Sequence, residues 1–347
     1  MLFEITDTIG APATAVLMGL ALGAAFGILA ERSAFCFRRS LVGEDRAQAA
    51  GVWLAALAAA IGLTQAAGAF GLVSFADHRL LAPDVPFAAV VIGGLLFGAG
   101  MVLARGCISR LTVLAATGNL RAAITVLSVA LIAHATMKGV LSPLREVAGS
   151  VTVALGPYVS LAALPGGAAL WTVLLCGGLG LIVLRSGARP SRIAMGVLIG
   201  ALVPLAWLGT SYLAADPFEP VAAQTLSFTA PFADTLFWIV AASSIPAGFG
   251  VGLIGGTLAG SFLSAATGGR LALRSFSSAP ETGRYLAGGS LMGFGGVLAG
   301  GCTIGAGLSG IAVLSVTAGL ALAAIAAGAF ATHAVLSSSV VPEVVPA

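Results

Sequence analysis

Four cysteines, Cys36, Cys107, Cys176 and Cys302, are the residues of this 347-residue chain best suited to chemistry. No two are spaced C-x-x-C, which argues against a dithiol redox motif or a zinc knuckle. A lone thiol in apolar sequence is by default a small buried hydrophobe. Cys176, in Leu174-Leu175-Cys176-Gly177, is read that way. Cys107 and Cys302 differ, because each closes a Gly-Cys step, Gly106-Cys107 and Gly301-Cys302. Cys36 lies in Arg32-Ser33-Ala34-Phe35-Cys36-Phe37-Arg38-Arg39, whose cations are either surface anchors or a field able to ionise the thiol. A neutral thiol offers a weak donor and a polarizable acceptor, whereas a thiolate is a nucleophile.

The elements that place these thiols are repeated. Residues 93–107 read GGLLFGAGMVLARGC and residues 288–302 read GGSLMGFGGVLAGGC, which agree at 10 of 15 positions at an offset of 195. Most of the 48 glycines are read as close helix packing through small-xxx-small spacing, as in Gly94-x-x-x-Gly98 and Gly289-x-x-x-Gly293. The glycines from Gly300 to Gly307 and Gly106 invite a second reading, since clustered glycines are poor helix interiors. A break there frees backbone groups, which a membrane tolerates only where they line a cavity. Helix N-termini at such breaks present N–H groups to an anion. Gly106, Gly301 and Thr303 are the candidate backbone donors.

Composition then sets the class. Apolar residues make up 59% of the chain and charged residues 8%, against roughly 25% charged in an average soluble domain. Nine runs hold no Asp, Glu, Lys or Arg: 11–30, 48–72, 87–104, 122–137, 168–184, 193–213, 236–266, 286–301 and 313–334. Most approach the ~20 residues that cross a hydrocarbon core as a helix, and none alternates like a strand. The prediction is an all-α membrane protein with about nine transmembrane helices plus short half-inserted helices. Segment 146–166 is expected to be interfacial or half-inserted. With an external N-terminus and cytoplasmic C-terminus, the inner segments hold 13 of 16 basic residues, as the positive-inside rule requires. Equivalent spans then run in opposite directions, the pattern of inverted repeats. We expect one membrane domain, 1–347, with a first half 11–142, connecting spans 143–213 and a second half 236–336. The +3 net charge is accounted for by topology and gives no case for nucleic acid.

Several classes lose support. None of the 13 carboxylates falls inside a proposed run, and His134 and His333 are the histidines in or near one. Ion-coupled carriers usually keep a titratable group within the membrane; His134 is either such a relay or an interhelical hydrogen-bonding residue. No paired histidines suit a haem, and no nucleophile has an evident base beside it. No catalytic residue, cofactor or metal is expected.

The stretch LMGFGGVLAGGCTIGAGLSG (291–310), its half-repeat FGAGMVLARGC (97–107) and Phe35-Cys36 resemble the YeeE/YedE family, in its YeeE-type thiosulfate-transporting branch. The resemblance implies a pseudo-symmetric bacterial inner-membrane protein that takes up thiosulfate. It implies that three cysteines, here Cys36, Cys107 and Cys302, pass the ion along a central path by thiol hydrogen bonds. It also suggests a cytoplasmic TusA-like sulfur carrier (YeeD-type) as partner. One departure is that Arg105 stands where the second repeat has Gly300. The chemistry suits a soft dianion, because protonated thiols hold it weakly, whereas a thiolate repels it and a buried lysine traps it. Three other readings stay open at this point. The chain could transport another sulfur or selenium species. It could be a membrane-embedded sulfurtransferase using Cys36, or a membrane subunit whose glycines only pack.

Overall fold

The computed structural model describes residues 6, 8–75, 79–215 and 219–338. Its helices are α1 Ala11–Ser33, α2 Phe37–Val42, α3 Arg46–Ala69, α4 Phe87–Leu103, α5 Ile108–Ala116, α6 Leu120–Lys138 and α7 Ser142–Gly149. They continue with α8 Gly167–Arg185, α9 Pro190–Ala214, α10 Thr229–Ala241, α11 Phe249–Thr267, α12 Ala279–Leu298, a π-helical segment Thr303–Gly310, and α13 Val316–Ser338. Among the described residues, nine stretches are long and apolar enough to cross a membrane. Three of these join a long helix to a short one across a break: α1–α2, α4–α5, and α12 with the π-helical segment. The chain is a multi-pass helical membrane protein. The tail beyond Ser338, expected at the cytoplasmic face, lies outside the described residues.

One sequence boundary is corrected. The apolar run 236–266 is not one span. It divides into α10 and α11, separated at Ala242–Gly248, because Pro246 cannot donate to a helix and disfavours helical geometry at Ile245. Segment 146–166 forms no crossing. It holds the end of α7, a two-residue strand Val153–Ala154 paired antiparallel with Asp84–Val85, and two short 3-10 turns. Leu155 and Leu161 bond to the Pro83 and Leu314 carbonyls, so this segment caps other elements.

With lipid as solvent, helix association rests on close packing rather than on the hydrophobic effect. The chain meets this with opposed glycines. Gly19, Gly23 and Gly27 of α1 face the backbone of α11 at Phe249, Leu253 and Thr257. Gly252, Gly256 and Gly260 of α11 face Val16, Leu20 and Ala24 of α1. A methyl group at any of these would overlap a carbonyl oxygen of the other helix. Gly98 of α4 and Gly328 of α13 meet Ile325 and Leu95 in the same way. Helix α4 also lies against α12, where Gly93 faces Gly295 and Gly100 faces Gly288. This exchange is consistent with two related halves.

Candidate functional site

Each of three cysteines occupies the same local structure. A helix ends in a residue with positive φ, one residue follows, and the cysteine is the N-cap of the next helical segment. The left-handed residues are Ala34 (φ 53°), Arg105 (φ 57°) and Gly300 (φ 75°); the caps are Cys36, Cys107 and Cys302. In the first two turns a C-terminal bond closes the preceding helix, Phe35 N–H to Ala30 O (3.2 Å) and Gly106 N–H to Met101 O (3.0 Å). Gly106 is therefore not a free donor, as its spacing suggested, and what it contributes is the turn. The backbone N–H of Gly305 donates to Cys302 Sγ at 3.5 Å, with Ile304 N–H and Phe228 N–H close by. Arg39 N–H and Arg110 N–H lie near the Cys36 and Cys107 sulfurs without closing a regular cap bond. Thiols thus stand where Ser, Thr, Asp or Asn usually cap.

The fold brings the three together. Cys36 and Cys107 are near enough for their thiols to interact directly. Cys107 Sγ is also 3.4 Å from Ser109 Oγ, and the buried Thr303 hydroxyl faces it without a regular hydrogen bond. Cys302 lies within electrostatic reach of Cys107. The sulfur-bearing residues are 7%, 1% and 0% exposed, so what reaches them must come through the protein. Phe26, Phe35 and Phe228 form an apolar wall beside them, with ring centroids 6.4 Å and 5.1 Å from Phe26. Arg39 anchors α2 through an ion pair with Asp45, which holds that carboxyl below its ordinary range. Cys176 is elsewhere: it is half-buried within α8, with Sγ 3.5 Å from Ala58 O.

Cavities flank the thiols. One, of about 210 Å³, is lined by Glu31, Arg110, Thr117, Asn119, Arg270 and Arg274, among others. Two more reach the other side of the cluster. A cavity of about 200 Å³ touches Ser227, Asp234, Gly305 and Ser309; one of about 120 Å³ touches Arg145, Ser227, Thr229, Gly300 and Gly301. Asn119, just before α6, borders the first, and Met137, near its end, borders the smallest. At 1.5 Å per residue, α6 separates them by roughly 28 Å, close to the thickness of a bilayer core. The Ser227 and Thr229 hydroxyls are buried without a hydrogen-bond partner among the described residues, and both residues line the smallest of these cavities.

The three thiols singled out in the sequence come together, among neighbours that the sequence did not announce. Arg110 was signalled by Cys107-x-x-Arg110, which matches Cys36-x-x-Arg39 in the first half; the second half has Gly305. Glu31, outside the charge-free runs, is in the last turn of α1, and Glu281 in the first turn of α12, so carboxylates do reach the span ends. Asp234, also outside those runs, sits in α10 and borders a cavity. His134 stacks on Phe237 of α10 at 4.8 Å.

The chain is a multi-pass helical bundle with buried polar groups and cavities on either side of the thiol cluster. The chain matches the sulphur transport family over residues 32–331 and belongs to that family. It is 28% identical over 325 residues to the thiosulfate transporter TsuA of Escherichia coli, covering 84% of this chain and 86% of that protein. It is 39% identical over 97 residues to a probable transporter, YedE, of Salmonella typhimurium, covering 26% of this chain and 22% of that protein.

Proposed function

We propose that this chain carries thiosulfate inward across a bacterial inner membrane, handing the ion between Cys302, Cys107 and Cys36. The observation that carries this reading is the recurrence of one turn three times, each placing an N-cap cysteine in one buried cluster flanked by cavities. A neutral thiol at a helix N-terminus offers the dianion an S–H donor, a soft sulfur contact and nearby backbone N–H groups. None of these holds the ion tightly, as conduction requires. Gly301 and Thr303 contribute backbone donors on the Ser227 side. The two halves act as inverted repeats, with Arg110 and its neighbours at the cytoplasmic end.

Inward movement of a dianion opposes an inside-negative potential by about 4.6 kcal/mol per 100 mV. A cytoplasmic TusA-like sulfur carrier that consumes thiosulfate would maintain the gradient, docking on the basic segments Arg32–Arg46 and Arg270–Arg284. The test is growth on thiosulfate of a sulfate-assimilation-deficient bacterium expressing this chain. Growth that depends on the chain supports the reading; failure with well-expressed protein at the membrane overturns it.

A further inference from the structure

The cavity beside Arg110 contains an anion of its own. Three arginines and one glutamate border it, a balance of two positive charges. Glu31 is sunk in the wall, its side chain 8% exposed, and Arg270 reaches over it at 48% exposed. Arg270 Nε donates to Oε1 and Nη2 to Oε2, both at 2.8 Å, the two-pronged geometry in which guanidinium also binds oxyanions. Ser264 Oγ donates to Oε2 at 2.9 Å. Arg270 belongs to the non-helical segment 268–278, which is tied to the end of α5 through Ala272 N–H to Thr117 O and Arg274 N–H to Gly118 O, both 3.1 Å. The arginine cluster thus stays at the mouth whether or not Glu31 engages it. Arg110 has a different partner, the Ala30 carbonyl at 3.4 Å, with Glu31 as a nearby charge.

We propose that Glu31 is a resident competitor for the transported dianion, holding Arg270 while the cavity is empty and yielding it when the ion arrives. This rests on the transport reading above. Arg110, Arg270 and Arg274 without a carboxylate would make a trap, and an ion held too firmly does not leave. Glu31 supplies a ready replacement ligand, so the departing ion does not leave a guanidinium fork uncompensated. The selected ligand chemistry is a small oxyanion of charge −2, matched to the balance of the lining.

The experiment is sided flux of labelled thiosulfate in liposomes containing the full chain, with half-saturation measured separately from each face. Glu31→Gln keeps the shape and the Ser264 contact. It is expected to lower half-saturation at the Arg110 face about tenfold and slow maximal flux, the scale of one charge-assisted hydrogen bond. Half-saturation at the opposite face should not change. Arg270→Gln leaves Glu31 free to occupy the cavity and should raise half-saturation at the Arg110 face. Equal shifts at both faces, or no shift in Glu31→Gln, would mean that the pair is only a structural clamp. A lowered value in Arg270→Gln would overturn the proposal even if Glu31→Gln fails to fold. Wild-type protein without flux removes the transport reading and this inference with it; wild-type flux with unresponsive variants removes this inference alone.

Discussion

The turn at Cys107 and the turn at Cys302 come from stretches that share ten of fifteen residues, yet they are chemically unlike. The first passes into a regular nine-residue helix that carries Ser109 and Arg110. The second passes into a π-helical segment of eight residues with three glycines and no charge. Arg105 takes up a left-handed conformation (φ 57°) that Gly300 adopts freely, at about 1–2 kcal/mol for a residue bearing Cβ. Only the Cys302 thiol closes a regular cap bond. A shared backbone path has therefore been furnished with Ser109 and Arg110 after one thiol and with uncharged, glycine-rich backbone after the other.

Removing the thiols tests this contrast most strongly. Cys107→Ala should reduce thiosulfate uptake roughly 10- to 100-fold, since a buried polar partner is lost from the path, with normal expression at the membrane. Cys302→Ala should do the same and in addition lose about 1 kcal/mol of stability with its cap, visible as a lower melting temperature in detergent. Cys107→Ser retains a hydrogen-bonding group but not the sulfur, so near-normal uptake by it would remove sulfur from the explanation.

The two glycines beside these thiols should respond unequally. A Cβ on Gly301 would lie 2.8 Å from Ala306 N and 3.2 Å from the Gly305 carbonyl carbon, backbone that cannot give way. One on Gly106 would meet side chains alone, Leu111 at 3.3 Å and Arg110 Cγ at 3.7 Å. Gly301→Ala is expected to cost about 1–3 kcal/mol through overpacking and most of the uptake; Gly106→Ala should keep the larger part. Equal losses, measured by thermal melting and uptake together, would show that both glycines serve the same purpose.

A smaller effect is expected of Arg105→Gly, which makes the first turn resemble the second. Relief of the left-handed strain should stabilise the protein by about 1 kcal/mol. Removal of a surface cation should raise half-saturation for thiosulfate no more than a few-fold, by roughly one screened charge. Cys176→Ala is the baseline, with uptake and melting close to wild type. A defect there as severe as in Cys107→Ala would show that the capping geometry does not distinguish functional from packing thiols.

The membrane spans were legible because lipid leaves little freedom: a helix that crosses it must be long and nearly free of charge, and eight of the nine runs anticipate their spans closely. The breaks at Cys107 and Cys302 were legible because glycine accumulates there. The division of run 236–266 was less so, since Pro246 is surrounded by residues as apolar as a span interior. The polar surroundings of the thiols were hidden for another reason. Ser227 meets Gly305, and Glu31 meets Arg270, across stretches of chain where periodicity carries no record of contact. Arg110 lay three residues from a cysteine already singled out, but its placement follows only once that cysteine is known to cap a helix.

The opposed glycines of α1 and α11 bear on how an ion can move through such a protein. Carriers that rock one half against the other need an interface able to slide, with side chains that exchange neighbours as the halves turn. Between α1 and α11 the nearest contact at each of those six glycines is a backbone carbonyl oxygen of the other helix. Sliding by one residue would drive a side chain into a carbonyl, so this seam behaves as a weld rather than a bearing. A frame joined this way resists relative sliding of α1 and α11.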